Sequence, residues 1–129
     1  MRKVQCQFGV DPLQQKLVVG DLHFLADAEV SRGGAGTGPS PHEYLAAALA
    51  SCTSMTLKMY SERKDWKLEN AIVTVNIERT NDLEIFIRDI QLMGELDAEQ
   101  KERLLDVATK CPIHKALAGE IQIKTQLVN

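Results

Sequence analysis

The sequence predicts an α+β fold, and three observations carry that prediction. Apolar residues alternate at period two around Val4 to Phe8, across Glu69 to Gly94, and again over Ile121 to Leu127, as in half-buried strands. Between these stretches lie two segments with apolar residues at helical spacing, one opening at Ser40-Pro41 and one after Asp97. The order is strands, long helix, strand pair, two helices, strand. That order lacks the regular strand–helix alternation of a parallel α/β sheet.

Taken in order, Val4, Cys6 and Phe8 alternate with Lys3, Gln5 and Gln7, which predicts a first strand with Cys6 as a small buried residue on its inner face. Asp11-Pro12 ends that pattern. Lys16 to Ala26 reads as one or two further strands, with Gly20-Asp21 as a turn or bulge. Ser31 to Ser40 carries Gly33, Gly34, Gly36, Gly38 and Pro39 and reads as a loop. It lacks the Gly-Lys-Ser/Thr ending of a phosphate loop, so a mobile loop shaping a pocket mouth is expected. Ser40 is a favourable N-cap, Pro41 suits the first helical position, and Glu43 completes a Ser-x-x-Glu capping box. The helix should run from Pro41 to about Lys64, with Leu45, Ala48, Leu49, Cys52, Met55 and Met59 on its buried stripe.

Glu69 to Thr80 and Leu83 to Gly94 predict a strand pair turning at Asn81-Asp82. The apolar parity of the second strand shifts between Leu83, Ile85, Ile87 and Ile90, Leu92, which predicts a β-bulge at Arg88-Asp89. Asp97 with Gln100 forms the capping box of a second helix, whose apolar face holds Leu104, Leu105, Val107 and Ala108. Pro112 breaks that helix at Lys110-Cys111. A short third helix, Pro112 to Leu117, then leads through Gly119 to a last strand bearing Ile121, Ile123, Thr125 and Leu127.

A chain of 129 residues and 14.3 kDa fits one domain over 1–129. A formal charge of −3 without dense Lys or Arg runs gives no electrostatic footprint for nucleic acid or an anionic membrane. The longest nearly apolar run, Tyr44 to Cys52, falls far short of the ~20 residues of a membrane helix. The N-terminus lacks the apolar core of a signal peptide, so a cytoplasmic location is expected. In that reducing compartment three cysteines do not make a structural disulfide framework. Ala46, Ala47, Ala48 and Ala50 permit close approach on more than one face of the long helix, which predicts a homodimer that shares it.

Chemistry concentrates at two cysteines. Cys52 reads as a small core residue on pattern alone. Its neighbours Ser51, Thr53 and Ser54 are poor helix filler, yet they offer hydrogen bonds to a thiolate or a bound oxygen species. An apolar pocket raises a thiol, so a reactive Cys52 needs a nearby cation or donor that the pattern does not identify. Cys111 precedes Pro112 and can cap the short helix, where unpaired N–H groups favour a thiolate; an incidental cysteine at a helix break is the equal alternative. Cys111 and His114 share a Cys-x-x-His spacing, but a structural zinc site wants four ligands, and His23 and His42 lie in unrelated contexts. No metal or other cofactor is expected. A Cys–His nucleophile pair lacks an orienting third residue.

The run from Gly34 to Leu57, with Lys110-Cys111-Pro112-Ile113-His114-Lys115-Ala116-Leu117 after it, resembles the osmotically inducible protein C and organic hydroperoxide resistance (OsmC/Ohr) family. The continuation from Lys58 to Leu68 is similar to a branch of small OsmC-like proteins. The resemblance implies an intertwined α+β homodimer, with a long central helix packed against antiparallel sheets and two active sites at the subunit interface. It further implies a thiol peroxidase acting on organic hydroperoxides, with Cys52 as the peroxidatic and Cys111 as the resolving cysteine. A dithiol reductant, often of lipoyl type, would restore the thiols. The family pattern sets a glutamate directly after the helix-starting proline, paired with an arginine from the N-terminal strands. Here His42 follows Pro41 and Glu43 comes next, and among N-terminal arginines Arg2 and Arg32 stand nearest. Glu43 and Arg32 are therefore candidates for the activating pair, and Met55, Met59 and His42 for the substrate-facing wall. The alternative reading is a redox-responsive or small-ligand-binding dimer that keeps the fold without turnover.

Overall fold

The computed structural model describes residues 1–128. Its elements are β1 (Val4–Phe8), β2 (Gln15–Val19), β3 (Leu22–Ala26), a 3-10 turn (Val30–Arg32), α1 (Pro41–Lys64), β4 (Lys67–Thr80), β5 (Leu83–Glu95), α2 (Ala98–Ala108) and α3 (Pro112–Ala118). The α+β expectation holds, with two antiparallel sheets and three α-helices. The chain forms two compact units, residues 1–45 and residue 46 onward. No helix among the described residues is long and apolar enough to cross a membrane.

In the first unit β1, β2 and β3 form an antiparallel meander in the order β1-β2-β3. Gly20 makes the β2–β3 turn with φ at 59°, a left-handed conformation that glycine adopts without steric cost. Cys6 is exposed rather than buried, which corrects the expectation from its alternation. It lies on an edge strand and donates to Gln15 Oε1 at 3.3 Å.

The glycine-rich loop is pinned by hydrogen bonds rather than loose. Buried Asp27 accepts from the Ala28 amide at 2.7 Å and the Thr37 amide at 3.0 Å, and also from the Thr37 hydroxyl. Gln14 Nε2 donates to Thr37 Oγ1 at 3.0 Å, so a buried amide braces the same point. The Thr37 bonds hold the Asp27 carboxyl down at about 2.

The second unit is built on a long hairpin. β4 and β5 pair antiparallel around Asn81, whose φ of 51° turns the chain. Ala71, Val73, Val75 and Ile77 of β4 stand opposite Leu92, Ile90, Arg88 and Phe86 of β5, and these eight residues are the less exposed face of the pair. The predicted bulge at Arg88-Asp89 is absent: Arg88 pairs with Val75 and Asp89 with Thr74 in regular register. The irregularity lies instead between Leu68 and Asn70, opposite Met93 and Gly94. Gly94 has φ 134°, and a Cβ there would stand 1.9 Å from the Lys67 carbonyl oxygen, so the bulge needs glycine.

α1 has the predicted bounds. It ends with Asp65 in the left-handed region at φ 55°, while the Trp66 amide donates back to the Ser61 carbonyl at 2.9 Å. This is a Schellman-type exit with aspartate in the usual glycine place. Its buried line differs from the predicted stripe: Leu49, Thr53, Leu57 and Ser61 are buried, whereas Leu45, Met55 and Met59 are exposed. Spacing of four residues makes a continuous line, and two of its members carry hydroxyls that an apolar pattern does not count. Leu57, Leu104, Val107 and Ala108 form the core, with Trp66, Ile90 and Leu92 among the residues packed on it. Asp97 and Gln100 form the expected reciprocal capping box of α2. Residues 119–128 carry no strand. The predicted last strand therefore fails among the described residues, because alternation supplies a face but not the partner ladder that makes a strand.

Candidate functional site: a thiol pair beside a half-buried guanidinium

α1 contributes Cys52 and Thr53 on adjacent positions, so the two side chains leave the helix about 100° apart. Thr53 belongs to the fully buried line, and Cys52 is half-buried at its edge. α3 brings Cys111, because Pro112 fixes the helix start and leaves Cys111 as its N-cap with extended backbone at φ −66° and ψ 143°. Cys111 is wholly buried. The fold brings the two cysteines close enough for each to influence the other's ionisation.

Two successive amides of α3 serve the two sulfurs. The His114 N–H donates to Cys111 Sγ at 3.3 Å, and the Ile113 amide acts on Cys52 in the direction that favours its thiolate. Thr56 Oγ1 spends its proton on the Cys52 carbonyl at 2.8 Å. Thr53 Oγ1 donates to the Leu49 carbonyl at 2.7 Å and lies 3.8 Å from Cys111 Sγ.

The third contributor is Arg88, on the core-facing parity of β5 between Phe86 and Ile90. Its Nη1 donates to Thr53 Oγ1 at 2.9 Å and its Nη2 to His114 Nδ1 at 3.0 Å. A guanidinium has no lone pair to offer, so His114 Nδ1 must be the acceptor. The imidazole is then neutral with its proton on Nε2. A Cys111–His114 metal site is at odds with this arrangement, since the ring nitrogen already faces a cation. Among the described residues, no three His, Cys, Asp or Glu side chains gather as metal ligands.

These surroundings pull the two thiols apart electrostatically. Burial is the largest influence on Cys111 and opposes ionisation, but the His114 amide, the Thr53 hydroxyl, the Cys52 thiol and the charge of Arg88 together outweigh it, so its pKa falls below the ordinary thiol value. Burial also dominates at Cys52, and there the bond to Cys111 adds to it, so its pKa rises. A cavity of about 190 Å³ adjoins the site, lined by Leu49, Phe86, Arg88, His114, Leu117 and Ala118.

The remaining sequence candidates have other surroundings. Glu43 caps α1, accepting the Ser40 amide at 2.8 Å while its own amide donates to Ser40 Oγ at 3.2 Å; the Ser40 amide, and after it the Ser40 side chain, hold its carboxyl below the usual value. Arg32 is exposed at the end of the 3-10 turn, and His42 is half-buried in the first turn of α1. Met55 and Met59 are 64% and 59% exposed and do not line the cavity at Arg88. Sequence reasoning missed Arg88 as a site residue, and named Thr53 only as one of three hydroxyl-bearing neighbours of Cys52. A signal for Arg88 was present: without a bulge, period two puts it on one face with Phe86, Ile90 and Leu92, where a charge demands partners.

A sequence model of the family described as OsmC-like protein matches residues 34–126, which includes both cysteines and Arg88. The chain belongs to the OsmC-like protein family. Solved structures share the OsmC-like fold at low identity. An OsmC-like protein from Mycoplasma pneumoniae superposes with a TM-score of 0.80 at 15% identity, over 92% of this chain and 88% of that one. An organic hydroperoxide resistance protein OsmC from Legionella pneumophila gives 0.68 at 20% identity, over 92% and 90%. The organic hydroperoxide resistance protein OhrB of Bacillus subtilis gives 0.64 at 22% identity, over 96% and 95%. No curated protein matches the chain.

Proposed function

We propose that this OsmC-like protein is a homodimeric, thiol-dependent peroxidase that reduces organic hydroperoxides, with Cys52 taking the peroxide oxygen and Cys111 resolving the product. The observation that carries this reading is a half-buried thiol close to a wholly buried one that caps α3 and is shifted toward the thiolate. Such a pair reacts in two steps. A sulfur attacks the O–O bond to give an alcohol and a sulfenic acid, and the second sulfur condenses with that acid to a disulfide and water. The apolar walls of the adjoining cavity suit the organic part of the substrate. A dithiol reductant, such as a dihydrolipoyl group, returns the pair to the reduced state. Two relatives are named as organic hydroperoxide resistance proteins, which favours the same substrate class.

Intact-mass analysis tests the proposal. One equivalent of an organic hydroperoxide is expected to remove two protons from the reduced chain, through a Cys52–Cys111 disulfide. Cys52→Ser is expected to abolish that loss. An unchanged mass in the wild type, or the same loss in Cys52→Ser, would overturn it.

A further inference from the structure

The site leaves one question open to geometry: what deprotonates Cys52, the sulfur that a peroxide can reach. Among the described residues no cation is hydrogen-bonded to it; Arg88 is directed at Thr53 Oγ1 and His114 Nδ1. His114 cannot serve as base through Nδ1, because that lone pair accepts from Arg88. The Thr56 hydroxyl is committed to the Cys52 carbonyl. The group that does influence the Cys52 thiol is Cys111, whose sulfur accepts the His114 amide at 3.3 Å and lies 3.8 Å from the Thr53 Oγ1 to which Arg88 donates.

We propose that Cys111 is the general base for Cys52 before it is the resolving thiol, and that Arg88 is the positioning residue whose nearby charge favours the Cys111 thiolate. The proposal rests on the peroxidase reading for its substrate but not for its proton. The titratable or charged groups facing Cys111 are Cys52 from α1, Arg88 from β5 and His114 from α3, and the lowered pKa of Cys111 beside the raised pKa of Cys52 agrees with this assignment.

The steps balance. The Cys52 sulfur bonds to the terminal peroxide oxygen as the O–O bond breaks, and its proton passes to Cys111. Cys111 hands that proton to the departing alkoxide, giving the alcohol, a Cys52 sulfenic acid and Cys111 again as thiolate. The Cys111 sulfur then attacks the Cys52 sulfur, the S–O bond breaks, and hydroxide leaves and is protonated by solvent. The sulfurs give up two electrons and the peroxide takes two.

Ultraviolet thiolate absorbance during pH titration of the reduced protein tests the assignment without any hydroperoxide. Wild type is expected to show one thiolate titrating below the ordinary thiol range. Cys52→Ser is expected to keep that step and Cys111→Ser to lose it. Arg88→Met is expected to raise it by about 1 unit or more, with Arg88→Lys recovering part of the shift. Sulfenic-acid trapping then reads the base role: Cys111→Ser is expected to oxidise at Cys52 about 100-fold more slowly at neutral pH, with a rate that climbs as pH rises. A low step that survives in Cys111→Ser, or Cys52 oxidation at the wild-type rate in that variant, would overturn the proposal. Because the titration uses no peroxide, failure of the peroxidase reading alone leaves its result intact.

Discussion

At the scale of single residues, both cysteines were legible, and for different reasons. Cys111 stood out because a cysteine before proline can cap the next helix, and it does so with the His114 amide. Cys52 stood out only through its hydroxyl-bearing neighbours and the family resemblance. Arg88 was not legible because apolar parity was read from Ile85 and Ile87, which the fold turns outward at 39% and 37% exposure. Hydrophobicity locates a strand's face only when the outward face is polar, and this strand is apolar on both. The expected activating pair, Glu43 with an N-terminal arginine, shows the converse: Glu43 has a complete local explanation as a helix cap. Asp27 was missed altogether, since a lone aspartate before a glycine loop gives no sign of how many donors will converge on it. Its carboxyl sits at about 2 against an ordinary 3.8, so its contribution to stability is full above the ordinary value and is lost as pH falls through about 2. Asp27→Asn is therefore expected to lower stability near neutrality and to flatten the decline between about pH 4 and pH 2, as read by denaturant midpoints across that range. An unaltered pH profile would show that the bonds to Thr37 contribute nothing net.

At the scale of elements, α1 and α2 were readable to their ends because capping is local chemistry: each start is fixed by a side chain and an amide three residues apart. The buried line of α1 was less readable, because Thr53 and Ser61 occupy it and only the tertiary neighbours reveal that. The β4–β5 bulge was misplaced for a related reason. Its position is set by backbone approach at Gly94, and a carbonyl 1.9 Å from a would-be Cβ leaves no apolar trace in sequence. Gly94→Ala is expected to cost about 1–3 kcal/mol from backbone strain alone, with the clash at Lys67 adding to it. Urea denaturation would measure this, and a change of less than about 0.5 kcal/mol, typical of a neutral surface site, would contradict the geometry.

At the scale of the whole molecule, the segment after α3 is the clearest departure from expectation. Ile121, Ile123 and Leu127 alternate as a strand would, yet they stand 60%, 86% and 94% exposed and carry no ladder. Together with exposed Met55 and Met59 on α1, they leave more large apolar surface in water than a lone chain of this size usually tolerates. A second copy would supply what the sequence pattern demands and one chain does not. Sedimentation at micromolar concentration is expected to give twice the 14.3 kDa chain mass, and Ile123→Asp to move it toward the single-chain value. A monomer in both would count against the proposed dimer. On the proposed assignment of a Cys111 thiolate, the charge of the site changes with its redox state: a disulfide carries no charge, so oxidation would remove a negative charge from the surroundings of Arg88, whose guanidinium donates to Thr53 and His114. In the proposed cycle the guanidinium would thus lose its counter-charge at each oxidation and regain it at each reduction.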